Sequence, residues 1–210
     1  MDRNLNNDSL RMRTVLLFVA GMALLLLTII ISLFGKPNIG EAMTRNSARL
    51  SLLWYWVATA GMLCLSEQDW NVRSARCGLV RWSWTWGVVS FWLHFLVAFH
   101  FYHHWSHAKA YEHVSNASNF GSGIYVSYFF TILWSFDVLW WWLQPESFSK
   151  RSSWMGWSVH AFMIFIIFNA TIVFETGAIR WIGGAILGSL TIIAIMMKSK
   201  NRIHSDLAPT

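Results

Sequence analysis

Histidine is the residue type in this chain that is best suited to chemistry, and its distribution is uneven. Six of the eight histidines lie between residues 93 and 113, at the end of an apolar run. They are His94, His100, His103, His104, His107 and His113. Imidazole is a common metal ligand and proton carrier, and it is costly to place near lipid. We therefore expect the chemistry of this protein, if it has any, to lie in this stretch.

The spacing of these histidines predicts a ligand stripe if the stretch is one continuous helix. At about 100° per residue, His100, His104 and His107 fall within roughly 60° of one another, and His103 widens the stripe to about 100°. Imidazoles on one helix face can bind a metal ion or the iron of haem. The candidate ligands are His100, His103, His104, His107 and His113, with Glu112 and Glu175 as oxygen donors. The alternative interpretation is a belt of amphipathic rings at the membrane interface.

The segment His100-Phe-Tyr-His103-His104 has the pattern HxxHH, which resembles one histidine box of the membrane fatty-acid desaturases and hydroxylases. That resemblance would imply two irons held by several such boxes on cytosol-facing segments. The match covers five of the 210 residues, no second box accompanies it, and the predicted side of the membrane is the opposite one. The family is therefore not assigned.

A second group of ionisable residues lies deeper in the predicted membrane region. Asp137 is about six residues from the end of one apolar run, and His160 is about six residues into the next, which places them at similar depth if the two helices are antiparallel. A carboxylate in hydrocarbon usually finds a partner, so we predict an Asp137–His160 pair, with His94 as an additional member. Such a pair can relay protons, orient a metal-bound histidine, or simply lock two helices together.

The composition indicates the elements that position these residues. Charged residues make up 12% of the chain, whereas an ordinary soluble domain has about 25%. Tryptophan, which favours the headgroup level of a bilayer, occurs 15 times. We predict an all-α polytopic integral membrane protein, with residues 1–210 forming a single transmembrane domain of about six helices in one bundle. The predicted spans are approximately 15–34, 50–66, 84–104, 124–143, 157–174 and 181–197.

The distribution of Lys and Arg predicts the orientation. With six spans, eleven of the sixteen basic residues fall on the side that carries both termini, which predicts that both termini are cytoplasmic. Arg45 and Arg49 oppose this pattern, and they precede the short second span. If that span does not cross, every later segment inverts. The compactness of the chain favours a bacterial cytoplasmic membrane.

These observations leave three functions open. The first is a membrane redox or metal-binding protein with a metal ion or haem at the histidine-rich helix end. The second is a proton-coupled transporter or channel-like subunit that uses Asp137, His160 and His94. The third is a non-catalytic membrane subunit, whose partners would be the lipid bilayer and other membrane subunits.

The net charge of +6 does not indicate nucleic acid, because the basic residues lie between apolar runs. Gly184 and Gly188 form a GxxxG pattern that predicts close helix packing.

Overall fold

The computed structural model describes residues 2–34, 38–66, 68–70, 74–173 and 178–206, and no strand occurs in these ranges. The described residues form eight α-helices, with a π-helical turn at Asn169–Val173 that extends α7. The helices are α1 Asp2–Phe34, α2 Ile39–Cys64, α3 Ala75–Phe101, α4 His107–Ser118, α5 Gly123–Leu143, α6 Pro145–Ser149, α7 Ser153–Phe168 and α8 Ala178–Asp206.

Five segments are long and apolar enough to cross a membrane, so the protein is membrane-embedded by length and composition. They are Met12–Phe34, Ala75–Phe101, Gly123–Leu143, Ser153–Ile172 and Arg180–Met197. The prediction of an all-helical membrane protein is confirmed at this level. The predicted second span, 50–66, overlaps α2, which begins eleven residues earlier than expected and ends two residues earlier, at Cys64. Helix α2 is not among the five, and Glu41, Arg45 and Arg49 occupy its first half.

Serine and asparagine caps explain where four of the helices begin. Asn38, Ser74, Ser106 and Ser152 each precede a helix, and each side-chain oxygen accepts a hydrogen bond from the backbone N–H three residues later. The first N–H groups of a helix have no partner within the helix, so such caps stabilise its start by about 1 kcal/mol. The cap at Ser106 has a particular consequence, because it starts a new helix inside the histidine-rich stretch.

The core lies where α2, α3 and α5 meet. Its largest fully buried side chains include Tyr55, Trp84 and Trp134, whose rings lie 5.1–6.0 Å apart between centroids. Gly87 lets α2 and α3 approach closely, and the Ser51 hydroxyl donates a 2.9 Å hydrogen bond to its carbonyl. A side chain at Gly87 would collide with Trp134. Packing of this kind is typical of membrane helices, in which small residues let backbones come together.

Candidate functional site

The histidine-rich stretch is broken in the middle. Helix α3 ends at Phe101, His104 and Trp105 adopt left-handed backbone angles of φ 47° and 61°, and α4 begins at His107. The prediction of one helix that continues through His107, with three imidazoles on a single face, is therefore wrong. The sequence did contain one signal for the break. Ser106 is a favourable helix cap, and a cap inside a predicted helix indicates a boundary.

Three of the predicted ligands have separate surroundings. His100 is exposed and packs against Phe101, while His104 is exposed at the break. The ring nitrogens of His107 lie 2.9 and 3.2 Å from the hydroxyls of Tyr128 and Tyr125. These three side chains therefore do not converge on one point.

The two glutamates that were predicted as oxygen ligands do not complete a cluster. Glu112 is exposed on α4, and Glu175 lies outside the described residues. Among the residues that the structure describes, no group of three or more His, Cys, Asp and Glu side chains could hold a metal ion.

The break does bring His103 and His113 together, although they are ten residues apart in the sequence. Their ring centroids are 5.2 Å apart, in an edge-to-face arrangement. His103 is buried, and its Nδ1 atom has no hydrogen-bond partner. Burial lowers the pKa of His103, and the charges of His113 and His104 lower it further. The folded protein thus disfavours the protonated form of His103, which lies beside a second imidazole.

The deeper polar site is built around Asp137, but its partner differs from the predicted one. The Oδ1 atom of Asp137 accepts a 2.7 Å hydrogen bond from Nη1 of Arg151, and its Oδ2 atom accepts a 2.9 Å bond from Nε1 of Trp84. The expectation that an intramembrane carboxylate finds a partner is confirmed. The predicted pairing was a direct or water-bridged approach of Asp137 and His160. No direct hydrogen bond joins the two side chains, and Arg151 and Trp84 are the donors to the carboxylate instead.

His160 nevertheless lies next to this group. Its ring centroid is 5.5 Å from that of Trp84, the same indole that donates to Asp137. The Nδ1 atom of His160 is buried and has no hydrogen-bond partner. The sequence thus indicated that the two residues are neighbours, while Arg151 is the residue that sequence reasoning missed.

His94 lies on α3, ten residues after Trp84. Its Nδ1 atom is 2.9 Å from the backbone oxygen of Thr44, and because a carbonyl can only accept, the ring nitrogen must donate. In the neutral imidazole, Nε2 is then the nitrogen that can accept a proton. The protein therefore fixes His94 in one tautomer by a contact between α3 and α2.

Three cavities are lined by residues of these polar groups. The histidine cavity, of about 460 Å³, is lined by Glu41, His94, His103 and His113 among others. The central cavity, of about 250 Å³, shares its His94 wall and continues to Tyr55 and Trp134. The arginine cavity, of about 520 Å³, lies between α2, α7 and α8 and is lined by Thr59, Arg151 and His160 among others.

The central and arginine cavities are each lined by one of two hydroxyl-bearing residues that lie one turn apart on α2. Tyr55 lines the first cavity and Thr59 lines the second. Both side chains are buried, and their hydroxyls lie close together without meeting hydrogen-bond geometry, so neither has a partner. Buried hydroxyls without partners are costly, and they commonly mark places where water or a ligand binds.

No protein-family model matches this chain, and neither a curated protein nor a solved structure matches it.

Proposed function

We propose that this protein is a membrane transport protein, either a proton-coupled transporter or a proton-conducting subunit, whose path runs through the interior of the helical bundle. The observation that carries the proposal is the buried hydroxyl pair of Tyr55 and Thr59, because each hydroxyl lines a different cavity. Ionisable and polar side chains inside a membrane are rare, and they commonly mark ion or proton pathways.

On one side of the pair, the path consists of imidazoles. His103 and His113 lie beside the histidine cavity, and His94 is shared by that cavity and the central cavity. Imidazole can accept a proton on one nitrogen and release one from the other near neutral pH. In this proposal, protons pass from the paired rings to His94 and then to the hydroxyl of Tyr55.

On the other side of the pair, the path ends at a charge-balanced group. Thr59 faces the arginine cavity, where His160 offers a buried nitrogen without a partner. Asp137 compensates the charge of Arg151, with 2.7 Å between their atoms. A cation that was not paired in this region would repel a proton, so the ion pair makes proton transfer to His160 less costly.

We further propose that α2 is the sixth span. Its 26 residues extend over about 39 Å, which exceeds the hydrocarbon thickness of about 30 Å. Glu41 lies at the level where α3 ends, since a side chain at the adjacent Gly40 would collide with Phe101, and Glu41 pairs with Arg45 at 3.2 Å. Arg49 lies about two turns further along α2 and donates a hydrogen bond to Asn46. Residues of α2 line all three cavities. Both termini would then be cytoplasmic, in agreement with the charge distribution.

Reporter fusions test this topology. A fusion after Asn119 should be external and a fusion after Met197 cytoplasmic if α2 crosses the membrane. A cytoplasmic signal from the Asn119 fusion would contradict the sixth span and reverse the side on which the histidines lie.

Proton flux into liposomes tests the transport proposal. The full chain is reconstituted with a trapped pH-sensitive dye, and a potassium gradient with valinomycin provides the driving potential. Tyr55→Phe removes one relay hydroxyl without changing the ring, and a barrier raised by about 1.4 kcal/mol lowers the flux about tenfold. Tyr111→Phe is the matched control, because Tyr111 is exposed on α4. A flux that is equal in wild type and Tyr55→Phe, or absent in both, would overturn the proposal.

A metal-binding or redox protein is the second candidate, and the pairing of His103 with His113 favours it. Two imidazoles at this distance supply two nitrogen donors of the kind that Zn, Cu or Fe binds. Purified protein should then contain stoichiometric metal or show a haem absorption band, and His103→Ala should lose it. His107→Ala is the control, because the tyrosines hold that ring elsewhere. Wild-type protein without metal or haem would exclude this candidate.

A further inference from the structure

The arginine cavity has the form of a ligand site at the surface of the helical bundle. Its volume of about 520 Å³ lies within the range of roughly 300–1,000 Å³ that is usual for small-molecule sites. Most of its wall is apolar and comes from α2, α7 and α8. The apolar lining includes Leu63, Trp157, Ile164, Leu187 and Leu190. Trp157 is 66% exposed, so one wall of the cavity faces the surroundings of the bundle.

Two polar atoms at this cavity lack partners. The hydroxyl of Thr59, a residue that is only 7% exposed, forms no hydrogen bond, and neither does Nδ1 of His160. A buried polar atom without a partner costs about 1–3 kcal/mol, so a bound molecule that hydrogen-bonds to these atoms would remove that cost. The polar atoms lie on α2 and α7, which places the head group of such a molecule between these two helices.

The charge balance of the site determines the kind of head group. Arg151 is the one cationic side chain among the described residues that line the cavity, apart from His160, and Asp137 already neutralises it. An anionic head group would add a charge that nothing in the site compensates, and such a charge is costly away from water. A neutral group with carbonyl or hydroxyl oxygens meets the hydrogen-bonding needs of Thr59 and His160 without this penalty.

We propose that the arginine cavity binds a neutral, single-chain amphiphile with a carbonyl- or hydroxyl-bearing head group, such as a monoacylglycerol. The head group hydrogen-bonds to Thr59 and His160, and the acyl chain lies along the apolar walls of α7 and α8. This site goes beyond the transport function, since ligand binding does not require a proton path.

Photo-crosslinking of the full chain in detergent tests the site. A monoacylglycerol with a diazirine in its acyl chain is the probe, and labelled peptides are identified by mass spectrometry. Labelling should be saturable and concentrated in α7 and α8. Unlabelled monooleoylglycerol should compete, and monooleoylglycerol phosphate, which differs only by its anionic group, should compete at least about tenfold more weakly. Equal or stronger competition by the phosphate, or labelling that does not saturate and is spread over the exposed face of α1, would overturn the proposal.

Three variants at threonine positions test whether the hydroxyl of Thr59 binds the head group. Thr59→Val keeps the shape of the side chain but removes the hydroxyl, and should weaken competition by monooleoylglycerol about fivefold, as expected for one hydrogen bond. Thr59→Ser keeps a hydroxyl and should retain near-normal binding, which separates loss of the hydrogen bond from misfolding. Thr28→Val is the control, because Thr28 lies on α1 and its hydroxyl already donates to the carbonyl of Leu24. Unchanged binding in Thr59→Val would contradict the assigned role of Thr59 and with it the site.

Discussion

Two regions of this protein carry ionisable side chains, and the two regions differ in how these side chains are stabilised. At Asp137, the charge is buried, and the loop before α7 and helix α3 supply a cation and an indole N–H at 2.7 and 2.9 Å, respectively. In the histidine-rich stretch, four of the six histidines are exposed, while His103 is buried and His94 is half-buried. Burial makes the partner of a charge mandatory, whereas exposure lets water take that role. The burial of ionisable residues therefore indicates the position of a site better than the number of such residues in a segment does.

Breaking the buried ion pair should have the largest effect on stability. Arg151→Met leaves the Asp137 carboxylate buried without a cation, and we expect a loss of about 3–5 kcal/mol in the free energy of unfolding. The double variant Asp137→Asn with Arg151→Met removes both charges and should lose much less. Denaturant unfolding in detergent measures all three proteins. Equal losses in the single and double variants would mean that the pair is not the source of the effect.

The indole hydrogen bond to Asp137 should contribute the next largest effect. Trp84→Phe and Trp134→Phe remove similar volumes from fully buried positions, but only Trp84 donates to the carboxylate, while Nε1 of Trp134 has no partner. The difference between the two variants should therefore be about 1.5–3 kcal/mol, as for a hydrogen bond to a charged group. The same unfolding measurement gives this difference. Losses of equal size would show that packing alone accounts for the role of Trp84.

The break between α3 and α4 offers a smaller effect of opposite sign. His104 has φ 47° and is exposed, so His104→Gly relieves left-handed strain and should stabilise the protein by up to about 1 kcal/mol. The control is His100→Gly, which should destabilise by a similar amount because His100 is exposed within the last turn of α3. Thermal unfolding distinguishes the two signs. Destabilisation by His104→Gly would indicate that the helix continues through the histidines after all.

The smallest expected effect is a pH dependence from His103. Because its pKa in the folded protein is below the usual value, the folded state disfavours the protonated ring. Stability should therefore be lost as pH falls through about 6.5, where the unfolded chain takes up the proton first. His103→Gln should flatten this part of the stability profile between pH 7 and 5. His100→Gln is the control, because His100 is exposed and its charge is not among those that lower the pKa of His103.

Particular residues show how much of the structure could be predicted from the sequence. Helix α5 begins at Gly123, one residue from the predicted start of the fourth span near residue 124. The prediction is close because apolarity and length are local properties of the sequence, and they determine whether a segment can cross a bilayer. The expectation that Asp137 has a partner also follows from its position alone, since a carboxylate cannot stay unpaired in hydrocarbon. The start of α4 is indicated locally by Ser106, but the apolar and histidine-rich surroundings favour a continuous helix.

The identity of partners depended on tertiary packing. Gly184 and Gly188 suggested a contact surface, yet a side chain at either would meet no atom within 4 Å, while one at Gly183 would collide with Thr171. Composition cannot determine the rotation of a helix about its axis, because that rotation is set by the sum of many contacts with neighbouring helices.

Sequence alone thus determined that this chain is helical, apolar enough for a membrane, and in need of a partner for Asp137. Only the tertiary structure decided that Arg151 and Trp84 are those partners, and that His103 meets His113 rather than His107. It also showed that Tyr55 and Thr59 line two different cavities. The physical reason is range: helix formation and membrane partitioning add up over neighbouring residues, whereas a site is an arrangement of side chains from helices that are distant in the chain.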